Sequence, residues 1–201
     1  MAKSLKPPLQ QIREDARACQ DCPLWANATQ TVFGACDPHA RVMLVGEQPG
    51  DEEDKKGLPF VGPAGRLLDK ALEAAGVDRT HLYVTNAVKH FKWQLRGKRR
   101  LHKTPAQREV DACHQWLERE IEAVKPHVIV ALGSTAAKAV ISKDFKVSMQ
   151  RGQFVESPLA PHVFATLHPS ALLRLREDEE REVAFRQFVK DLSLIKKALA
   201  R

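Results

Sequence analysis

The chain has 201 residues, 43% apolar and 28% charged, with a formal net charge of +7. This is an ordinary composition for a soluble globular protein, with one domain over residues 1–201 as the default and two small ones as the alternative. No apolar run is long enough to cross a bilayer and MAKSLKPPLQQ lacks the apolar centre of a signal peptide, so a cytoplasmic location is expected by default.

Residues from about Pro8 to Arg17 have a helical, mixed-charge pattern that runs into Cys19, Cys22 and Pro23. In a cytoplasmic chain a C-x2-C pair indicates a metal or redox site before a disulfide. Here it follows a helix, not a strand that opens one, which disfavours the thioredoxin-type reading. Arg41 to Gly46 is a short, β-branched apolar run that predicts a buried strand. A long polar loop follows from Glu47 to Gly62, and then a helix over Ala64 to Ala75 with Gly76 as its stop. Leu82 to Asn86 predicts a second strand.

The stretch from Lys89 to Thr104 is basic and without apolar period, and is expected to be a loop. Thr104-Pro105 is expected to start a helix that continues to about Val124. His127 to Leu132 predicts a third strand, followed by a Gly133-Ser134 turn and a helix to about Ile141. Val163 to Thr166 predicts a fourth, entering His168-Pro169-Ser170, and Glu179 to Leu199 predicts a long amphipathic helix.

Strands alternating with helices give a three-layer α/β/α fold on a short, mainly parallel four-stranded sheet. In such sheets the site lies beyond the carboxyl ends of the strands. Those ends are Gly46-Glu47, Asn86 to Lys89, Gly133 and His168 to Ser170, and most of the chemically capable residues fall there. The positive charge favours a polyanionic partner, because neutralising phosphates releases counterions.

Four segments, GEQPGDEEDKKGLPFVGPAGRLLD, YVTNAVKHFKW, GKRRLHKTP and LHPSALLR, resemble the uracil-DNA glycosylase superfamily. Within it they resemble the iron–sulfur family 4, and specifically the UdgX-type branch that forms covalent adducts with uracil-DNA. The resemblance runs from about Cys19 to the C-terminal helix. It implies uracil-containing DNA as partner, single-stranded DNA preferred, a [4Fe–4S] cluster as cofactor, no divalent metal or nucleotide cofactor, and a monomer. Breaking an N-glycosidic bond puts positive charge on the sugar and negative charge on the departing base, so a carboxylate near the sugar and donors around the base are required.

By resemblance, Glu47 supports the oxocarbenium-like sugar or orients its attacker, and Gln48 helps to position that attacker. Asp51 belongs to the uracil pocket, whereas Glu52, Glu53 and Asp54 are expected to be solvated. The Asn86 amide can accept from uracil N3–H and donate to O4, which cytosine cannot match. Phe60 stacks on the flipped base, core packing being the plainer alternative. His168 is placed to hold the charge on uracil O2, and Ser170 opens a helix whose amides can meet a phosphate.

Lys98, Arg99, Arg100 and Lys103 surround His102 and are expected to grip DNA, a solvated basic loop being the alternative. The UdgX-type branch carries KRRIH where this chain has KRRLH, and its histidine captures the sugar at C1′, which assigns that role to His102. A neutral imidazole is a good nucleophile near pH 7, and the neighbouring arginines should keep it neutral.

Cys19, Cys22 and Cys113 match three of the four family 4 cluster cysteines, but His90 stands at the remaining position. Either His90 or Cys36 completes the set, and His90 is favoured because it occupies the family position; imidazole replaces thiolate on iron in some clusters. A zinc site of three cysteines and one histidine is the chemical alternative. Holding the N-terminal segment on the fold is the expected role of the metal group. Lys92, Trp93 and Trp116 are assigned to packing. Three functional rivals remain: a glycosylase in which water replaces His102, a non-catalytic iron–sulfur DNA-binding protein or redox sensor, and a nucleotide-binding α/β domain, for which the chain has no GxGxxG or Walker motif.

Overall fold

The computed structural model describes residues 9–200. The N-terminal helix is α1 (Leu9–Arg17), with Pro8 outside the described residues. It is followed by β1 (Ala35–Cys36), β2 (Val42–Gly46), α2 (Asp51–Lys56), α3 (Pro63–Ala75) and β3 (Leu82–Asn86). A hairpin of β4 (Trp93–Arg96) and β5 (Arg99–His102) leads to α4 (Gln107–Val124), β6 (Val128–Leu132), α5 (Ser134–Val140) and α6 (Val147–Gln150). The remaining elements are β7 (Phe154–Val155), β8 (His162–Thr166), α7 (Pro169–Leu173), α8 (Asp178–Leu192) and α9 (Leu194–Leu199).

The four apolar runs that predict strands are β2, β3, β6 and β8, and they pair in parallel in the order β3-β2-β6-β8. Two short antiparallel strands extend the edges, β1 on β3 and β7 on β8, so the sheet has six strands. Edge strands of two residues are too short to carry a period that a sequence pattern can reveal. Alternate residues of the central strands feed two cores. Met43, Val45, Ile129 and Ala131 pack with Leu117 and Ile121 of α4 and Ala137 of α5. Leu44, Val84, Val130 and Phe164 pack with Leu68 and Leu72 of α3 and Phe188 and Leu192 of α8. A third cluster joins Ile12 and Ala16 of α1 to Val110, Cys113 and Trp116 of α4.

Register decides where the chemistry falls. Gly46 is opposite Asn86, and Leu132 is opposite Thr166, so the parallel strands end nearly level. The residues that follow emerge on one edge. Among the described residues, no helix is long and apolar enough to cross a membrane.

Four expectations are corrected. The stretch from Lys89 to Thr104 is not a plain loop: Arg96 pairs with Arg99 across a Gly97-Lys98 turn in which Gly97 has φ 61°. Both faces of this hairpin are largely exposed, which removes the alternation that normally marks a strand. The acidic loop contains α2, whose first turn is acidic, whose last is basic and which ends on Gly57 at φ 70°. Helix α4 starts at Gln107 rather than at Thr104-Pro105, with Glu109 Oε2 accepting from the Ala106 N–H at 2.6 Å. The C-terminal helix is two helices that meet at Ser193.

Candidate active site

A cavity of about 400 Å³ lies at the carboxyl edge of the sheet, lined by Gln48, Asp51, Phe60, Asn86, His102 and His168, among others. Asn86 ends β3 with a buried Oδ1 that has no hydrogen-bond partner. A buried unpaired acceptor is costly, which marks a position that a ligand donor can satisfy. Gly46 is required beside it: a Cβ there would lie 2.3 Å from Asn86 Oδ1 and 2.5 Å from the Phe60 ring. Phe60 is held at φ 55°, a left-handed conformation that costs a bulky residue on the order of 1–3 kcal/mol. Arg79 Nη2 fixes the Phe60 carbonyl at 3.1 Å, so the ring is set as a wall of the cavity, its centroid 5.9 Å from that of His168.

His168 precedes α7. Its Nδ1 accepts from the Ser170 N–H at 3.2 Å and lies 2.8 Å from Ser170 Oγ. With Nδ1 accepting, the proton of the neutral ring belongs on Nε2, a donor. Burial, reinforced by His102 and Arg174, pushes His168 down to about 4, so the ring is neutral at physiological pH. A neutral donor suits the developing charge on a departing base.

His102, at the end of β5, is 44% exposed, and its Nε2 lies 3.4 Å from Glu47 Oε1. The other Glu47 oxygen accepts from Thr135 Oγ1 at 2.6 Å. Burial holds His102 below its ordinary range; Glu47 opposes this and Arg174 supports it. The arginine that acts on His102 is therefore Arg174, not its hairpin neighbours as expected. The Gln48 amide donates to the carbonyls of Lys92 (3.2 Å) and Lys103 (2.9 Å) and accepts from the Lys92 N–H (3.1 Å). It thus closes the base of the hairpin and sets the position of His102 through the backbone.

Of the four cations expected to grip DNA, Lys98, Arg99 and Lys103 are exposed. Arg100 differs from expectation. Its side chain is 17% exposed, with Nε on Asp51 Oδ1 (2.6 Å) and Nη1 on Asp54 Oδ2 (2.7 Å). The guanidinium also stacks over Phe91 and Trp93. It ties the hairpin to α2 instead of reaching for a phosphate. Asp51 lines the cavity, and although burial works to raise its carboxyl, hydrogen bonds from Lys55 and Arg100 bring it below the usual range.

Asp54 and Glu53 are not the solvated carboxylates expected. Asp54 is fully buried and also accepts from the Thr29 N–H and Oγ1. Glu53 accepts from the N–H groups of Gly50 (3.1 Å) and Gly62 (2.8 Å), fastening both ends of the loop. Arg174 and Thr135 received no role from the sequence. Arg174 closes the LHPSALLR segment just beyond α7, where one helical turn returns it to the cavity.

Cys19, Cys22, His90 and Cys113 line one small cleft between α1, the loop after β3, and α4. The Lys89 N–H points at Cys113 Sγ (3.2 Å) and Trp116 Nε1–H at Cys19 Sγ (3.1 Å), as suits thiolate sulfur. Thr31 Oγ1 lies 2.9 Å from His90 Nε2, the kind of bond that holds a ligating imidazole through its other nitrogen. Burial pushes the Cys113 thiol up to about 12, so a metal group there must displace its proton. The donor set fits a thiolate-bound group. Among the described residues, no three His, Cys, Asp or Glu side chains are arranged to hold a single ion. Cys36 is exposed on β1 and does not line this cleft.

An α/β sheet with a cavity at its strand ends, walled by an aromatic ring, an unpaired amide oxygen and a neutral histidine, defines a protein built to hold a flat, hydrogen-bonding ligand. The uracil DNA glycosylase superfamily model matches residues 33–193, and the chain belongs to that superfamily. It is 38% identical to the type-4 uracil-DNA glycosylase of Thermotoga maritima over 187 residues, 92% of this chain and 94% of the relative. It is 37% identical to the type-4 uracil-DNA glycosylase of Sulfurisphaera tokodaii, covering 82% of this chain and 76% of that one. The type-5 uracil-DNA glycosylase of Pyrobaculum aerophilum is 33% identical over 68% of this chain and 64% of its own.

Proposed function

We propose that the protein excises uracil from DNA and that His102 then bonds the exposed deoxyribose at C1′, so that each molecule acts once. The observation that carries this reading is the placement of His102 on the cavity rim, against Glu47 and held below its ordinary pKa.

Uracil stacks on Phe60, and its N3–H meets the unpaired Asn86 Oδ1. The C1′–N1 bond breaks, with the electron pair leaving on uracil, where the Nε2–H of His168 holds the charge at O2. Glu47 stabilises the cationic sugar. The lone-pair nitrogen of His102 then bonds C1′, and the ring releases its N–H proton. Lys98, Arg99 and Lys103 meet the backbone, Ser170 is taken up by His168 instead of a phosphate, and Arg100 and Gln48 keep the hairpin in place. Cys19, Cys22, His90 and Cys113 would hold a [4Fe–4S] cluster, which would supply a structural tie for the N-terminal segment; no step of base release passes through it. We read residues 1–201 as one domain that acts as a monomer in the cytoplasm.

On a denaturing gel, uracil-containing single-stranded DNA should give an SDS-stable shifted band, absent with His102→Ala. A band that persists in that variant excludes His102 as the link. Because only the neutral ring attacks and its pKa is lowered, adduct formation should decline on the acid side with a midpoint below pH 6.5. A rate that halves near pH 7 would contradict the assignment. The relatives at 37% and 38% identity are type-4 uracil-DNA glycosylases, which favours a second reading in which water attacks in place of His102. Abasic product exceeding one equivalent of enzyme would establish it.

A further inference from the structure

The base cavity shares His102, His168, Ser170 and Arg174 with a second groove of about 610 Å³. Its far wall is built by α5 and the start of α6, which bring Lys138 and Lys146 to its lining beside Thr135 and Ser148. Glu47 is its sole acidic lining residue, already engaged by Thr135 and facing His102. Lys138, Lys146 and Arg174 are exposed, and none has an ion-pair partner among the described residues. Other cations nearby are already engaged: Arg100 by Asp51 and Asp54, Lys92 by Glu109.

We infer that this groove carries the sugar–phosphate backbone adjoining the flipped nucleotide, with Lys138 and Lys146 each meeting a phosphate and Arg174 at the junction with the base cavity. The inference rests on the uracil-DNA reading above. A nucleotide whose sugar sits at His102 must continue into its neighbouring phosphates, and this groove opens directly from that point. Its lining combines Lys138, Lys146 and Arg174 with hydroxyls and with apolar Val147, Leu167 and Ala171, and apart from His102 and His168 at the junction its one aromatic ring, Phe145, is buried. Such a surface tracks a polyanion without stacking or reading bases, so binding along it is independent of flanking sequence.

The test is fluorescence anisotropy of a uracil-free, labelled single-stranded oligonucleotide against the full-length protein across a range of salt. Lys138→Ala/Lys146→Ala should weaken binding roughly tenfold at low salt and reduce the slope of log Kd on log salt by about 1.4, which is about 0.7 for each phosphate left without its cation. Lys70→Ala/Lys197→Ala, on α3 and α9, should leave both unchanged. Lys138→Glu/Lys146→Glu should weaken binding further. If the wild type binds and the groove variants retain its affinity and slope, the groove inference is overturned while the uracil-DNA reading stands. If the wild type does not bind the uracil-free oligonucleotide at low salt, the groove inference falls, and release of free uracil from uracil-containing DNA decides the uracil-DNA reading separately.

Discussion

Replacing His168 with alanine is expected to slow uracil release by about 10²- to 10³-fold, the usual cost of removing one preorganised donor from a site of developing negative charge. The ring is a donor at Nε2 because Ser170 N–H occupies Nδ1. It is neutral because burial pushes it down to about 4. A neutral donor has no charge to be neutralised in the ground state, so its effect falls mainly on the transition state. Its contribution should therefore be constant between pH 5 and 8. Single-turnover kinetics at saturating uracil-DNA checks this, with the loss in the rate constant and little change in DNA affinity. A rate within threefold of wild type would show that another group carries the charge.

The largest effect on stability is expected at Glu120. This carboxylate is fully buried and accepts from the Gly34 N–H (3.0 Å), Tyr83 OH (2.8 Å), Thr85 Oγ1 (3.0 Å) and the buried Lys89 ammonium. Glu120→Gln keeps the shape but leaves Lys89 charged and unpaired in the interior, which costs about 3–5 kcal/mol. Lys89 also donates to the Asn86 carbonyl at 2.7 Å, and its own N–H points at Cys113 Sγ. The destabilisation therefore falls on the frame between the base cavity and the cysteine cleft. Denaturant unfolding measures it, and a change under about 1 kcal/mol would contradict the account.

Most of the sheet is legible in the sequence because its four parallel strands are continuous apolar runs, buried on both faces. The strand-end rule then places Glu47, Asn86 and His168 together without any knowledge of which side chains meet. The hairpin is not legible, since a ribbon exposed on both faces keeps no alternation; its one local signal is Gly97 at a two-residue turn. Helix α2 is hidden for a related reason, having no apolar stripe, although its charges follow the helix dipole. Asp54 and Arg100 look like surface charges along the chain, and only their meeting across 46 residues makes them interior. Thr135 and Arg174 belong to the same group. Their part depends on what faces them.

The central claim is that an imidazole of this chain becomes bonded to C1′ of the sugar that loses its base. Intact-protein mass spectrometry after incubation with a short uracil oligonucleotide tests it most directly. The account predicts one species, heavier than the protein by the mass of the oligonucleotide less that of free uracil, with fragmentation placing the bond on His102. Unmodified protein beside a growing pool of abasic oligonucleotide would contradict it.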